Sequence, residues 1–316
     1  MTNAAVAKSA VSPLNRIGKF LELIKFSHSI FAMPFALLAC FLASKAIGLT
    51  WPGWLRLALI VAAMVLARTF AMTFNRLVDR RIDAGNPRTA RRPSVTGEIS
   101  PMFMLAALAI SATGFVAVAW LFDFILKNPW PLWLAIPVLG WLALYSFTKR
   151  FTWLCHFFLG SSLMLAPVSA WVAIVPPRGP VLASQVVVLG LAVLLWTAGF
   201  DILYALQDES VDRRDRLFSL PARLGIVPSL WISRSCHVLT VVLLICFGLG
   251  LPAWGTTIAL SSVYWLGLAM VALLLVIEQR LVKPHDISRI NLAFMTVNGL
   301  VGIIFAICSI AAILLA

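Results

Sequence analysis

The sequence predicts an all-α, polytopic membrane protein in which nine transmembrane helices surround a central cavity. Of its 316 residues 61% are apolar and only 12% are charged, so a soluble domain of this length could not bury the apolar side chains. These residues also form runs of about 20, the length at which a helix crosses the hydrocarbon core of a bilayer. Only helices are expected in the runs, because unpaired backbone groups are costly in lipid.

The predicted spans follow one another with short, proline-containing turns between several of them. In three of these turns proline stands with glycine or asparagine, and tryptophans at two of them suit the depth of the membrane interface. No small-residue cleavage site follows the first run, so we interpret it as a permanent span. The nine spans form a single predicted domain, residues 1–316, with two related halves at about 1–150 and 151–316. The spans are residues 20–44, 54–78, 102–122, 131–148, 152–175, 182–207, 229–250, 256–278 and 290–315.

The positive charges predict the orientation in the membrane. Twenty Lys and Arg residues fall on the side that holds the N-terminus and four fall on the other side. The protein is therefore expected in the cytoplasmic membrane, with its N-terminus in the cytoplasm and its C-terminus outside. Topology accounts for the net charge of +13, so we expect no nucleic-acid partner. The five cysteines show no paired spacing, which indicates neither a zinc site nor a disulfide framework.

The second span ends in an acidic stretch, Asn75, Asp79 and Asp83, whose residues recur every four positions. On a continuing helix they would share one face, with neighbours about 6 Å apart. Carboxylates so placed repel each other unless a divalent cation lies between them, and oxygen ligands of this kind suit Mg2+. The arginines just downstream, among them Arg88 and Arg92, are candidate donors to phosphate oxygens.

A second acidic stretch follows the sixth span. Asp201, Tyr204, Asp208 and Asp212 are spaced as one face of a helix, and arginines including Arg214 follow. Residues 75–83 and 201–216 together hold seven of the twelve acidic residues of the chain, so these residues are concentrated rather than scattered for solubility. Both stretches are predicted on the cytoplasmic side, and each adjoins one of the two long loops, which are candidate lids.

The two stretches resemble the signatures of the UbiA-type superfamily of intramembrane prenyltransferases, Asn-x3-Asp-x3-Asp and Asp-x2-Tyr-x3-Asp-x3-Asp. The first signature continues as Arg-Thr-Ala-x-Arg-Pro, which this chain matches from Arg88 to Pro93. The resemblance covers essentially the whole chain. It implies an enzyme that transfers a polyprenyl chain from its diphosphate to an aromatic acceptor, with Mg2+ as cofactor.

The resemblance also implies roles for the residues of both stretches. One Mg2+ ion would be held by the first stretch, and a second by Asp208 and Asp212, with Asp201 near the top of its span. Tyr204 would order the acceptor or shield the allylic cation with its ring. The diphosphate would be bound by Arg88, Arg92 and Arg214.

Arg68 lies within the second span, where an unpaired guanidinium is costly. It stands two helical turns before Asn75 on the same face, so it should point into the same cavity. Family members that act on 4-hydroxybenzoate similarly carry an Arg seven residues before the Asn of the motif. A carboxylate on the acceptor would be its natural bidentate partner. Lys25, His28 and Ser29 at the start of the first span could border this cavity.

The sequence is compatible with two different aromatic acceptors. Members acting on 4-hydroxybenzoate commonly have Asp where this chain has Arg76, and Lys where it has Phe218. The run from Arg213 to Gly225 is similar to a subgroup that acts on 1,4-dihydroxy-6-naphthoate in the futalosine route to menaquinone. The sequence therefore predicts an enzyme of ubiquinone or menaquinone biosynthesis. The alternatives are a haem- or chlorophyll-type tail-adding enzyme and a membrane transporter.

Overall fold

The computed structural model describes residues 13–25, 31–176, 183–255 and 257–316, and within these ranges its regular elements are helices. The predicted all-α class is therefore confirmed. In chain order the helices are α1 (Pro13–Leu23), α2 (Met33–Ala46), α3 (Trp54–Val78), α4 (Arg80–Gly85), α5 (Pro93–Thr96), α6 (Pro101–Leu126), α7 (Trp130–Thr148), α8 (Cys155–Ile174), α9 (Ser184–Ala205), α10 (Glu209–Arg214), α11 (Leu220–Leu224), α12 (Ile226–Gly248), α13 (Val263–Leu281) and α14 (Asn298–Leu314).

Eight of the described helices are long and apolar enough to cross a membrane: α3, α6 to α9 and α12 to α14. In two of them the spanning segment includes an adjoining turn, a 3-10 turn after α9 and a π-helical turn before α14. Their outer surfaces carry large exposed apolar side chains, which is what contact with lipid requires. Examples are Trp54, Met102, Ile110, Phe124, Ile136, Leu266 and Ile307. The chain is a multi-pass membrane protein.

The first predicted span, residues 20–44, corresponds to two separate helices in the structure. Helix α1 ends at Leu23, and α2 begins at Met33 and has only 14 residues. Pro34 favours this start, because it lacks a backbone N–H and suits the first turn of a helix, where that group would have no partner. The ninth membrane element is therefore a shorter apolar helix than predicted.

Both acidic stretches lie where a long helix breaks. The backbone N–H of Asp79 donates to the carbonyl oxygen of Asn75 at 2.9 Å and caps α3, after which α4 begins at Arg80. Helix α9 similarly gives way to a 3-10 turn that ends at Asp208 before α10 begins. The motif residues therefore do not share one continuous helix face, and a short helix, α4 or α10, follows each break.

Helices α8 and α9 form the centre of the bundle, where their backbones are in direct contact. A Cβ atom added to Gly160 on α8 would lie 2.3 Å from the carbonyl oxygen of Leu194 on α9. Only glycine permits this approach, which is the way small residues pack helices in membranes. Helix α12 packs against the other side of α9, where Ser233 Oγ donates to the carbonyl oxygen of Gly199 at 2.8 Å.

A buried polar cluster lies among α9, α12, α13 and α14. Glu278 is fully buried and accepts a hydrogen bond from Asn298 Nδ2 at 2.7 Å. The other end of that amide accepts from Trp196 Nε1 at 2.7 Å. The Asn298 amide satisfies one oxygen of this carboxylate, and the other, Oε2, is buried without a hydrogen bond from any described residue.

Candidate active site

The first acidic stretch is held by hydrogen bonds at the end of α3. Asn75 Nδ2 donates to Asp79 Oδ2 at 2.8 Å, and Arg150 Nη2 donates to Asp79 Oδ1 at 2.9 Å. Burial raises the pKa of Asp79 in spite of the hydrogen bond from Arg150, and nearby Asp83 acts in the same direction. A cation close to Asp79 would therefore stabilise the ionised form of this carboxylate.

Asp83 and Arg92 form a pair within the first stretch and its loop. Arg92 Nη1 lies 2.6 Å from each oxygen of the Asp83 carboxylate. The backbone around Asp83 is fixed by Thr89, whose hydroxyl donates to the Asp83 carbonyl oxygen at 2.9 Å. The Arg-Thr-Ala-x-Arg-Pro run therefore folds back onto the carboxylate of α4.

Arg88 joins the two acidic stretches. Its Nε and Nη2 donate to the two oxygens of Asp208 at 3.0 and 2.5 Å, in a bidentate pair. Its Nη1 donates to the Tyr204 hydroxyl at 3.0 Å, and Asn86 Nδ2 donates to Asp208 Oδ1 at 2.8 Å. Burial lowers the pKa of Arg88, but Asp208 outweighs it and the pKa lies above its usual range. The loop of the first stretch thus meets the second stretch directly.

Lys149 and Arg150, at the end of α7, bind one aspartate from each stretch. Lys149 Nζ lies 2.7 Å from Asp212 Oδ1, while Arg150 binds Asp79. Burial lowers the pKa of Lys149, but the charge of Asp212 outweighs it and the net shift is upward. In the sequence both residues stand out only as cytoplasmic charges, and their place after an apolar run is the one signal that points to them.

Asp201 is separate from these pairs. Its Oδ2 lies 2.7 Å from Nδ1 of His156, a buried residue in the first turn of α8. His156 Nε2 accepts a hydrogen bond from the backbone N–H of Leu220 at 3.3 Å. His156 could not be identified from the sequence, because nothing in the local pattern pairs a residue of the fifth span with one of the sixth.

Arg214 lies at the rim of the site rather than within it. It is largely exposed, and it binds Asp215 and donates to the carbonyl oxygen of Gly85 at 2.8 Å. It therefore ties α10 to the end of α4.

An apolar cavity of about 190 Å3 opens below the paired charges. Polar side chains line it at Arg68, Asn75 and Tyr145, and the rest of its wall comes mainly from apolar residues of α3, α6, α7 and α8. It reaches Ile60 in α3, fifteen positions before Asn75, a distance of about 22 Å along a helix. The cavity therefore runs through most of the bilayer from the level of the acidic stretches.

Arg68 projects into this cavity, as predicted from its position on α3. Its Nη2 donates to the carbonyl oxygen of Lys25 at 2.9 Å, and its buried Nε has no hydrogen-bond partner among the described residues. His28 and Ser29 lie outside the described residues. A further intramembrane arginine, Arg76, is buried and binds the carbonyl oxygen of Leu23 and Asn75 Oδ1.

The donor set suits Mg2+ bound by pairs of carboxylates. Among the described residues, no three His, Cys, Asp or Glu side chains cluster closely enough to hold a metal ion by themselves. Most of the motif carboxylates are instead paired with basic side chains, and Asp212 Oδ2 is buried without a hydrogen bond from any described residue. Mg2+ commonly takes one or two carboxylates and completes its shell with waters and substrate phosphates.

Comparisons with known proteins agree on one family. The model of the UbiA prenyltransferase family matches residues 32–300. A protein named 4-hydroxybenzoate octaprenyltransferase, from Acidovorax ebreus (strain TPSY), is 30% identical over an alignment of 274 positions that covers 81% of this chain and 87% of that protein.

Solved structures share the fold. The apo structure of a UbiA homolog from Aeropyrum pernix K1 matches with a TM-score of 0.75 and 29% identity, over 90% of this chain and 97% of its own. A UbiA homolog from Archaeoglobus fulgidus, solved with DMAPP and Mg2+, matches with a TM-score of 0.66 over 93% of this chain and 99% of its own. At 19% identity the second likeness concerns the fold alone.

Proposed function

Because the chain belongs to the UbiA prenyltransferase family and is a prenyltransferase, we propose that it transfers a polyprenyl group from a polyprenyl diphosphate to a hydroxylated aromatic carboxylic acid. The observation that carries this proposal is the meeting of two environments. A long apolar cavity ends at Asn75, directly below a set of arginines and carboxylates. A prenyl diphosphate has the same two parts, a hydrocarbon tail and a charged head.

The diphosphate fits the basic side chains that now neutralise the aspartates. Arg88, Arg92 and Lys149 each hold a carboxylate of one of the acidic stretches. If two Mg2+ ions bind Asn75, Asp79 and Asp83 on one side and Asp208 and Asp212 on the other, the basic groups are released toward the phosphate oxygens. The chemistry that the ions supply is neutralisation of the charge that develops on the departing diphosphate.

The acceptor fits the environment of Arg68. A buried Nε without an acceptor inside an apolar cavity calls for an anionic partner, and a carboxylate can bind a guanidinium through two parallel hydrogen bonds. With its carboxylate on Arg68, the ring of the acceptor would lie deeper than the diphosphate. At that depth the reacting carbon of the ring would lie next to the allylic carbon of the donor.

The name of the Acidovorax relative supports 4-hydroxybenzoate as the acceptor, and ubiquinone biosynthesis as the route. Because the run from Arg213 to Gly225 is similar to the subgroup of the futalosine route, 1,4-dihydroxy-6-naphthoate is the second candidate acceptor. The route would then be menaquinone biosynthesis. Both are hydroxylated aromatic acids that suit Arg68. The count of positive charges supports an active site that opens to the cytoplasm, with the N-terminus on the same side.

A single incubation tests this function. Purified protein is mixed with Mg2+, a labelled polyprenyl diphosphate and a panel of aromatic acids and their decarboxylated analogues, and the products are identified by mass. We expect a prenylated acid and little product from an analogue without the carboxylate. Transfer to a haem precursor or a chlorophyllide alone would identify a tail-adding enzyme. Metal-independent uptake of a solute by proteoliposomes, without diphosphate release, would favour a transporter.

A further inference from the structure

Transfer of a prenyl group to an aromatic ring leaves a proton to be removed, and the pairs described above assign no group to this step. The inference here rests on the proposed function and concerns its last step. We propose that the Asp201 carboxylate accepts the ring proton and that His156 is the positioning residue that holds this carboxylate in place.

The first argument is that Asp201 differs in its partners from the other aspartates of the two motifs. Asp208 is bound by Arg88, and Asp212 by Lys149, so both lie within the set of charges expected to handle Mg2+ and diphosphate. Asp201 binds only His156 among the described residues. Its side chain is 20% exposed, so it is not sealed inside the protein.

The second argument concerns the protons of the pair. His156 Nε2 faces the backbone N–H of Leu220 and accepts from it. The neutral imidazole then carries its proton on Nδ1 and donates it to Asp201 Oδ2 at 2.7 Å. The Oδ1 atom receives no hydrogen bond from the described residues. The imidazole thus fixes one oxygen of the carboxylate and leaves the other free to take a proton.

The third argument is depth in the membrane. Asp201 precedes Tyr204 by one turn of α9, and the Tyr204 hydroxyl meets Arg88 at the level of the expected diphosphate. Asp201 therefore lies one turn deeper than Tyr204, on the side where the proposed function puts the ring of the acceptor. His156 shares a face of α8 with Leu159 and Leu163, which both line the apolar cavity. Asp201 is also close enough to Tyr145, another cavity residue, to interact with it electrostatically.

The step balances without any further reagent. The bond between the allylic carbon and the diphosphate oxygen breaks, and its electron pair leaves with the diphosphate. A π pair of the acceptor ring forms the new carbon–carbon bond, which leaves that ring carbon with four single bonds and the ring with a positive charge. Asp201 Oδ1 takes the proton from this carbon, and the C–H electron pair restores the aromatic ring.

The experiment compares full-length wild-type protein with Asp201→Asn, using the acceptor identified by the panel above and the same acceptor deuterated beside its hydroxyl group. General-base catalysis commonly contributes about 100-fold or more, so we expect kcat to fall by about that factor. Because proton loss would then limit the rate, a deuterium isotope effect well above unity should appear in the variant and not in the wild type. The Mg2+ concentration needed for half-maximal rate should stay the same.

Further variants separate proton transfer from folding. Asp201→Glu keeps a carboxylate and should recover part of the lost rate. His156→Gln should lower kcat less than Asp201→Asn and show a smaller isotope effect. Asp123→Asn, at the far end of α6, is the matched control and should behave as wild type. Elution from a sizing column and the thermal unfolding temperature show whether each variant folds.

Three results would overturn the proposal. They are a rate near wild type for Asp201→Asn, a loss of rate without an isotope effect, and a raised Mg2+ requirement without an isotope effect. The third would return Asp201 to the support of the second metal. If the wild type prenylates no aromatic acid, the proposed function fails first, so the two failures are distinct.

Discussion

Arg88 and Asp208 lie 120 positions apart in the chain and form a bidentate ion pair, with Nη2 and Oδ2 separated by 2.5 Å. This pair connects the loop that follows one acidic stretch to the carboxylate of the other. It also gives Arg88 a partner that a bound diphosphate would replace. The site therefore already holds the charges that the proposed reaction needs, and binding of the diphosphate would rearrange their pairs.

Removing a single motif carboxylate should abolish turnover. In Asp208→Ala the second stretch loses an oxygen ligand, and Arg88 loses its partner. We expect product formation to fall at least about 100-fold at saturating Mg2+. A water molecule in place of the lost carboxylate ligand would not keep the ion where it neutralises the charge on the departing diphosphate. Asp79→Ala should behave alike. Asp286→Ala, in the loop between α13 and α14, is the control, and near-normal Mg2+-dependent turnover in either motif variant would refute the metal assignment.

Arg68→Ala should weaken binding of the acceptor much more than binding of the donor. A charge-assisted hydrogen bond contributes about 1.5–3 kcal/mol, which corresponds to a rise of roughly 10- to 100-fold in the acceptor KM. Steady-state kinetics with each substrate varied in turn measures this difference. Arg56→Ala, whose guanidinium binds the carbonyl oxygen of Pro52 near the opposite end of α3, should change neither KM. An equal rise for both substrates would remove the proposed role of Arg68.

Lys149→Met should make the protein depend on Mg2+ for its stability. The change leaves the buried Asp212 carboxylate without its ion-pair partner, at a cost of about 1–3 kcal/mol in the absence of metal. Thermal unfolding with and without Mg2+ should therefore show a larger stabilisation by the ion in the variant than in the wild type. Arg213→Met removes an exposed pair with Glu209 and serves as the control. Equal stabilisation in both proteins would argue against a Mg2+ ion at Asp212.

A bulky side chain at the far end of the cavity should shorten the donors that the protein accepts. Ala135 on α7 lines the cavity and is 1% exposed, so Ala135→Phe fills space that a long tail would occupy. Competition among donors of increasing length, with products resolved by mass, should show loss of the longest first. Ala109→Phe on the outer face of α6 is the matched control. An unchanged range of donors would place the tail elsewhere.

The features that could be predicted from the sequence are those with a local signal. Apolar runs located the eight long helices, and the spacing around Asn75 and Asp201 identified both acidic stretches. The position of Arg68 in the cavity followed from helical periodicity alone. The break of α3 at Asp79 did not, because a cap formed by backbone groups leaves no mark on side-chain spacing.

The partners of the acidic residues could not be predicted, because they come from distant parts of the chain. Arg150 reaches Asp79 across 71 positions, and His156 reaches Asp201 across 45. Such contacts depend on how the helices pack. The pattern of apolar residues along a single helix says which face is buried and does not say which residue of another helix it meets.

The contact between Gly160 and Leu194 has a consequence for how the cavity accommodates substrates. Two helices whose backbones touch cannot slide or separate without losing that fit, so the wall that α8 contributes is stationary. The facing wall is built mainly from α3, α6 and α7, which are far less enclosed by protein, so we expect their outer faces to meet lipid. We expect the width of the cavity to adjust on this side alone, so that the surrounding bilayer, rather than the centre of the protein, yields when a tail enters.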